Sequence, residues 1–163
     1  MRRDIVTHRS HGTRVVFLAA WLAFSIHNTG LSTQHSALAF EDLGNLSANR
    51  FDSESSSNPF GKGSPFARNG INNPFSPYGS PYSNTSATNR SATEAPRLYD
   101  QQGNYRGKLS ANPYDPDSTS NQFGRYGSPY SPDSLNNQFG AGSPFRPDSP
   151  NNPYGSGWRI EGK

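Results

Sequence analysis

All four histidines, His8, His11, His27 and His35, lie in the first 39 residues, and the chain has no cysteine. From residue 40 onward no Ser–His or Cys–His nucleophilic pair can therefore be assembled, nor a zinc, copper or haem site from the usual donors. The remaining acid–base groups are carboxylates, which need a cleft in a packed core to shift their pKa values. Gly61-Lys62-Gly63-Ser64 has the look of a phosphate loop but sits between two prolines of a repeat rather than between a strand and a helix. Asp115-Pro116-Asp117-Ser118, with Asp133 and Asp148 further on, offers one or two carboxylates per turn. That is short of a calcium loop and suits local Asx capping. The sequence predicts no enzyme: no catalytic, cofactor-binding or metal-ligating residue is assigned.

The elements that could position any site are sparse. After residue 39 the aliphatic side chains are Leu43, Leu46, Ile71, Leu98, Leu109, Leu135 and Ile160, against eight Phe, eight Tyr and Trp158. So little aliphatic surface is ordinarily unable to offset the entropy of ordering a chain. Residues 40–163 carry eleven Lys and Arg and eleven Asp and Glu, so the formal +3 of the whole chain belongs to its start. A nucleic-acid partner would need a basic stripe in the body, and there is none.

The start reads as an export leader. Four arginines precede the apolar run VVFLAAWLAFSI at 15–26, and a polar stretch ends in Ala37-Leu38-Ala39 before Phe40. A basic segment, a short apolar segment and an A-x-A site in that order form a secretory signal, expected to be helical and cleaved between Ala39 and Phe40. The apolar run is too short to remain as a stable membrane anchor.

The body repeats. Residues 58–72 (NPFGKGSPFARNGIN), 73–88 (NPFSPYGSPYSNTSAT), 121–136 (NQFGRYGSPYSPDSLN) and 137–151 (NQFGAGSPFRPDSPN) share one unit, with a truncated copy at 152–158 and a shortened one at 112–120. An extra Tyr, Tyr78 or Tyr126, turns a 15-residue copy into a 16-residue one. Prolines recur too often for helices or ladders, and Asn-Pro, Ser-Pro and Pro-Asp-Ser are turn signals. The fold class expected is a mostly disordered, Pro/Gly/Asn/Ser-rich low-complexity repeat chain. If the repeats did pack, Phe60, Phe66, Phe75, Tyr130, Phe139, Phe145 and Tyr154 would have to form the core.

One segment breaks the pattern. Asp100-Gln101-Gln102-Gly103 suits a type I turn with Gly103 in the left-handed region, which sets Tyr99 opposite Tyr105 in a short β-hairpin over 96–109. An isolated hairpin is marginal in water, which leaves two readings, a transient turn or a hairpin completed by a partner's strand.

From Leu98 to Trp158, the order of this hairpin, NPYDPDS, GRYGSPYSPDS and NNPYG resembles short exported bacterial proteins. That family has no assigned activity, so the resemblance implies export from a bacterium and no site residues. Gln122 and Gln138 stand where proline is usual in it.

The organisation expected is a signal at 1–39, a polar linker at 40–57, repeats at 58–88, a linker at 89–95, the hairpin at 96–109, repeats at 110–158 and a tail at 159–163. The function expected is that of a flexible structural or interaction chain of the cell envelope or extracellular space. Its partners would be envelope components or a protein met through the aromatic repeats. The alternative is a binding module in which 96–109, through Tyr99 and Tyr105, pairs with a partner strand while the repeats act as a spacer.

Overall fold

The computed structural model describes residues 40–163. The predicted signal helix and the Ala37–Ala39 cleavage site lie outside them. Among the described residues there is no helix, and none long and apolar enough to cross a membrane. Four strands, β1 (Glu41–Leu46), β2 (Arg97–Tyr99), β3 (Tyr105–Lys108) and β4 (Trp158–Gly162), form one antiparallel sheet in the order β1-β4-β2-β3.

The hairpin is present in the expected register. Tyr99 faces Tyr105, the Gly103 amide donates to the Asp100 carbonyl at 3.0 Å, and Gly103 has φ of 82°. The strand that completes it is the chain's own β4, which pairs Leu98 with Ile160. Most of the segment expected to be a C-terminal tail is thus a central strand. The expected linker at 40–57 likewise holds β1.

The sheet has an internal two-fold. GNLSAN at 44–49 recurs as GKLSAN at 107–112, and Arg97-Leu98 recurs as Arg159-Ile160. Leu98 and Ile160, equivalent in the two halves, face each other at the axis. About that axis the β1–β4 pairs Asp42–Glu161 and Asn45–Arg159 become the β3–β2 pairs Tyr105–Tyr99 and Lys108–Arg97. Even the bulge is shared, at Gly44 and Gly107, with φ of 86° and 92°. Each half thus lends its first strand to the last strand of the other. The outer edges are closed by parallel bridges, Asn45 to Ser55 and Lys108 to Ser118, which leaves little open ladder for another chain.

The repeats between the strands are ordered, which corrects the expectation of a mostly disordered chain. From Asp52 to Ser76 every third amide donates to the carbonyl three residues back, at 3.0–3.3 Å. A 15-residue copy is five such turns. In a 16-residue copy one turn is four residues long, Ser80 amide to Ser76 carbonyl or Ser128 amide to Gly124 carbonyl, and the extra Tyr78 or Tyr126 inside it is buried. Proline suits the second turn position, and Asn or Ser at the first accepts the amide two residues on.

These turns build six ten-residue units, at 48–57, 63–72, 79–88, 111–120, 127–136 and 142–151. Four of them close on their own first residue through the last side chain, and the other two, 48–57 and 111–120, close on the residue just before the unit. Asn72, Thr88, Asn136 and Asn151 donate to the carbonyls of Gly63, Gly79, Gly127 and Gly142, and Ser57 and Ser120 donate to those of Ser47 and Ser110. Within the halves, successive units meet backbone to backbone. A Cβ on Gly63, Gly79, Gly127 or Gly142 would collide with the carbonyl oxygen of Ser56, Ile71, Thr119 or Leu135 of the unit before. Between the halves the same step is made by amides, Ala111 to the Ala87 carbonyl at 2.9 Å and Ala48 to the Pro150 carbonyl at 2.8 Å. Unit six therefore contacts unit one, and the series closes into a ring of six.

What replaces a large core is economy. All seven Leu and Ile of the described residues belong to one cluster with Trp158, Tyr78 and Ala141, and Leu98 and Ile160 at the axis are fully buried. Elsewhere, beside Ala92, Ala95, Pro96 and Tyr126, the interior is largely polar. Ser55, Ser86 and Ser118 are buried with their hydroxyls on the carbonyls of Ser47, Tyr78 and Ser110. Among the described residues no buried side-chain N or O lacks a partner. Such bonds give about 1 kcal/mol each, and leaving one unmade costs more.

Candidate interaction surface

The aromatic residues predicted to form a core if the repeats packed do the opposite. Phe51, Phe60, Phe66, Phe75, Tyr82, Tyr114, Phe123, Tyr130, Phe139, Phe145 and Tyr154 are each 86–98% exposed. Two places in the repeat supply them. The fourth residue of each unit is aromatic in all six: Phe51, Phe66, Tyr82, Tyr114, Tyr130 and Phe145. The third residue after each unit is aromatic in five of six: Phe60, Phe75, Phe123, Phe139 and Tyr154, with Ser91 in the remaining place.

One device holds them all. The amide of each ring-bearing residue donates to the side-chain oxygen two residues before it. That oxygen is an Asn Oδ1 for Phe51, Phe60, Phe75, Tyr114, Phe123, Phe139 and Tyr154, at 2.9–3.0 Å. It is a Ser Oγ for Phe66, Tyr82, Tyr130 and Phe145, at 3.2–3.4 Å. The six asparagines that follow the units, Asn58, Asn73, Asn89, Asn121, Asn137 and Asn152, also donate from Nδ2 to the carbonyl six residues back, at 2.8–3.1 Å. The backbone beneath the rings is thereby fixed on both sides. The rings themselves make no packing contribution that their exposure would allow.

Tyr99 and Tyr105, singled out from the sequence, come together as expected, with ring centroids 5.7 Å apart, and Tyr126 adds an edge-on contact to Tyr105 at 5.5 Å. Burial first, and then the nearby Asp117 carboxylate, push the Tyr105 hydroxyl far above the usual tyrosine range, so it stays protonated. The guanidinium of Arg159 lies 5.7 Å from the Tyr99 ring. This cluster is built into the sheet. Phe40, the expected first residue after cleavage, is half exposed beside β1.

The ionic network around the buried Asp100 is also structural. Arg106 holds Asp100 at 2.9 Å and Asp133 at 3.0 Å and lies over the Trp158 ring. Burial opposes the Asp100 charge, yet hydrogen bonds from Asn104 and Arg106 outweigh it and hold this carboxyl below its usual pKa. Among the described residues no group of three or more His, Cys, Asp and Glu could hold a metal ion. The exposed array is not foreseen by a reading that places the aromatic repeats on a flexible, mostly disordered chain. The signal lies in the placement of all eleven exposed rings two residues after Asn or Ser.

Comparison of the chain with models of known families, with curated proteins and with solved structures finds no match.

Proposed function

We propose that this chain is a non-catalytic interaction protein, exported by its leader, that adheres through a fixed array of aromatic rings to extended material outside the cytoplasm. One observation carries the reading: eleven rings, nearly fully exposed, each clamped at the same position of the same turn. Large exposed apolar surface is uncommon on soluble proteins and marks contact sites. The turns keep Asn or Ser first with Pro, Arg or Gln second, and Ser91 occupies a ring position without loss of the Asn89 clamp. The rings therefore serve something other than the fold. Many weak contacts on one rigid body add up to firm adhesion without any strong single site.

The alternative, in which the hairpin pairs with a partner's strand, is less well supported, since β4 and the Lys108–Ser118 bridge already occupy both sides of the hairpin. The test is retention of the protein on the envelope or extracellular matrix fraction of the producing cells. Replacing all eleven rings with Ser should release it into the soluble fraction with the fold intact by circular dichroism. Equal retention of that variant would end this reading.

A further inference from the structure

Within the array, rings and polar groups converge on a cleft. Pro113, Tyr114, Ser120, Gln122 and Phe123 line an open cleft of about 250 Å³. Tyr114 is the fourth residue of its unit and Phe123 the third residue after it, so the cleft lies between the two kinds of ring position. Both backbones are pinned, Tyr114 by Asn112 and Phe123 by Asn121. No lining residue carries a charge.

Gln122 is the residue the fold does not account for. Of the five equivalent positions, three hold Pro59, Pro74 and Pro153, which suit the second place of the turn, and the other two hold Arg90 and Gln138. Gln122 forgoes that benefit, and the Asn121 clamp on the next amide is no shorter, 3.0 Å against 2.9 Å at Phe60, Phe75 and Tyr154. What Gln122 brings is an exposed amide with two donors and an acceptor beside two rings. Gln138 stands sixteen residues on, with Tyr130, Asn136 and Phe139 in the same order. In the four ring positions that accompany these glutamines, the fourth-residue ring is tyrosine both times.

We infer that the Tyr114–Gln122–Phe123 cleft is a subsite for one sugar ring of an uncharged polysaccharide, with the Tyr130–Gln138–Phe139 set as its repeat. A pyranose ring offers an apolar C–H face to stack on an aromatic ring and a rim of hydroxyls for an amide to bond. The uncharged lining and the balanced charge of residues 40–163 give no attraction to a polyanion or an anionic membrane. The cleft is below the usual size of a small-molecule pocket, which suits one unit of a polymer held by several such sites. This assignment rests on the adhesive reading above and names the partner for it.

Affinity electrophoresis of the purified protein through native gels containing hydroxyethyl cellulose or dextran tests it, with alginate as the charged glycan and phosphatidylcholine vesicles in a parallel flotation assay. A neutral glycan should retard the protein. Tyr114→Ala and Phe123→Ala should each weaken retardation about threefold to tenfold. Gln122→Pro, which installs the residue found at 59, 74 and 153, should weaken it about threefold while leaving the melting temperature unchanged or higher. Both rings are exposed, so loss of fold is not expected, and circular dichroism checks it. Retardation unaffected by Gln122→Pro would overturn the assignment, as would flotation with neutral vesicles in place of glycan binding. So would self-association that the ring variants abolish. If the protein clings to envelope material yet no neutral glycan retards it, the cleft assignment falls and the aromatic-array reading stands.

Discussion

The two halves of this protein share a backbone and differ in what anchors it. At the bulge of the first half Leu43 enters the apolar cluster. At the equivalent place in the second half Arg106 reaches Asp100 and Asp133 instead. Asp100 itself corresponds to Gly162, over which the Tyr78 ring lies, and Tyr78 in turn corresponds to Ala141. One half fills its site with a leucine and a tyrosine, and the other with a hydrogen-bonded ion network. The same strand register tolerates both, so the fold is specified by the ladder and the turn clamps rather than by one packing solution. The solutions should nonetheless fail differently.

The largest effect is expected at Arg106. Arg106→Ala would leave the fully buried Asp100 side chain with only neutral donors from Gln102 and Asn104. Removing one member of a buried pair costs about 3–5 kcal/mol, measured here as a fall in the urea midpoint. Arg106→Leu combined with Asp100→Asn and Asp133→Asn moves the second half toward the chemistry of the first and should recover a large part of the loss. If the triple variant is no better than Arg106→Ala, the halves are not interchangeable in the way their backbones suggest.

Next come the backbone contacts between units, where the halves should agree. Gly63 and Gly127 are equivalent, and a Cβ on either would strike a carbonyl of the preceding unit. Gly63→Ala and Gly127→Ala should each destabilise by about 1–3 kcal/mol, and by similar amounts. A large difference between them in chemical denaturation would mean that the pseudo-symmetry stops at the sheet.

How far the sequence reveals this fold follows from the same contrast. The hairpin is legible because Asp100 to Gly103 spells its turn and two tyrosines flank it. The sixteenth residue of the long copies is legible too, though its burial is not. Seven aliphatics read as too few because they are counted over the length of the chain, whereas the structure gathers every one of them at the sheet. The order of the turns was hidden for a different reason. The units are held by side chains that satisfy distant carbonyls, as Asn136 does for Thr119 and Gly127, and hydropathy is blind to such bonds. The array was visible as rings but not as a surface, since aromatic residues in a folded chain are ordinarily read as core.

Acid should separate the halves. Among the described residues the carboxyls held below their usual pKa are Asp115, Asp148 and Asp100, all in the second half or the turn that leads into it. Asp148 is lowered chiefly by its bond from Arg146. Asp115 is opposed by burial but held down by Lys108 and the Asp117 amide. Below the ordinary carboxylate value of 3.8 the unfolded chain takes up protons that the folded chain refuses. The stability these groups contribute is thus complete well above that value and is lost as the pH falls through it toward their folded pKa values. Hydrogen exchange at decreasing pH should show β3 and its flanking turns losing protection before the turns at 63–72. Simultaneous loss would place the acid sensitivity in the shared sheet.

The smallest effect is expected where the surface is most conspicuous. Phe60 and Phe123 are equivalent in the two halves, and both are almost wholly exposed. The Asn clamp beneath each ring belongs to the residue two before it and survives a change of side chain. Phe60→Ser and Phe123→Ser should therefore each change stability by less than about 0.5 kcal/mol, within the range of ordinary surface substitutions. In adhesion they should part company. Phe123 shares its cleft with Gln122, and Phe60 follows Pro59, so Phe123→Ser should weaken retardation by a neutral glycan by the larger factor. Melting curves and affinity gels run on the same two variants read both quantities at once. Equal stability with unequal adhesion would place the rings in function and outside the fold. A destabilisation above about 1 kcal/mol in either variant would return that ring to the structure, with packing its exposure does not disclose.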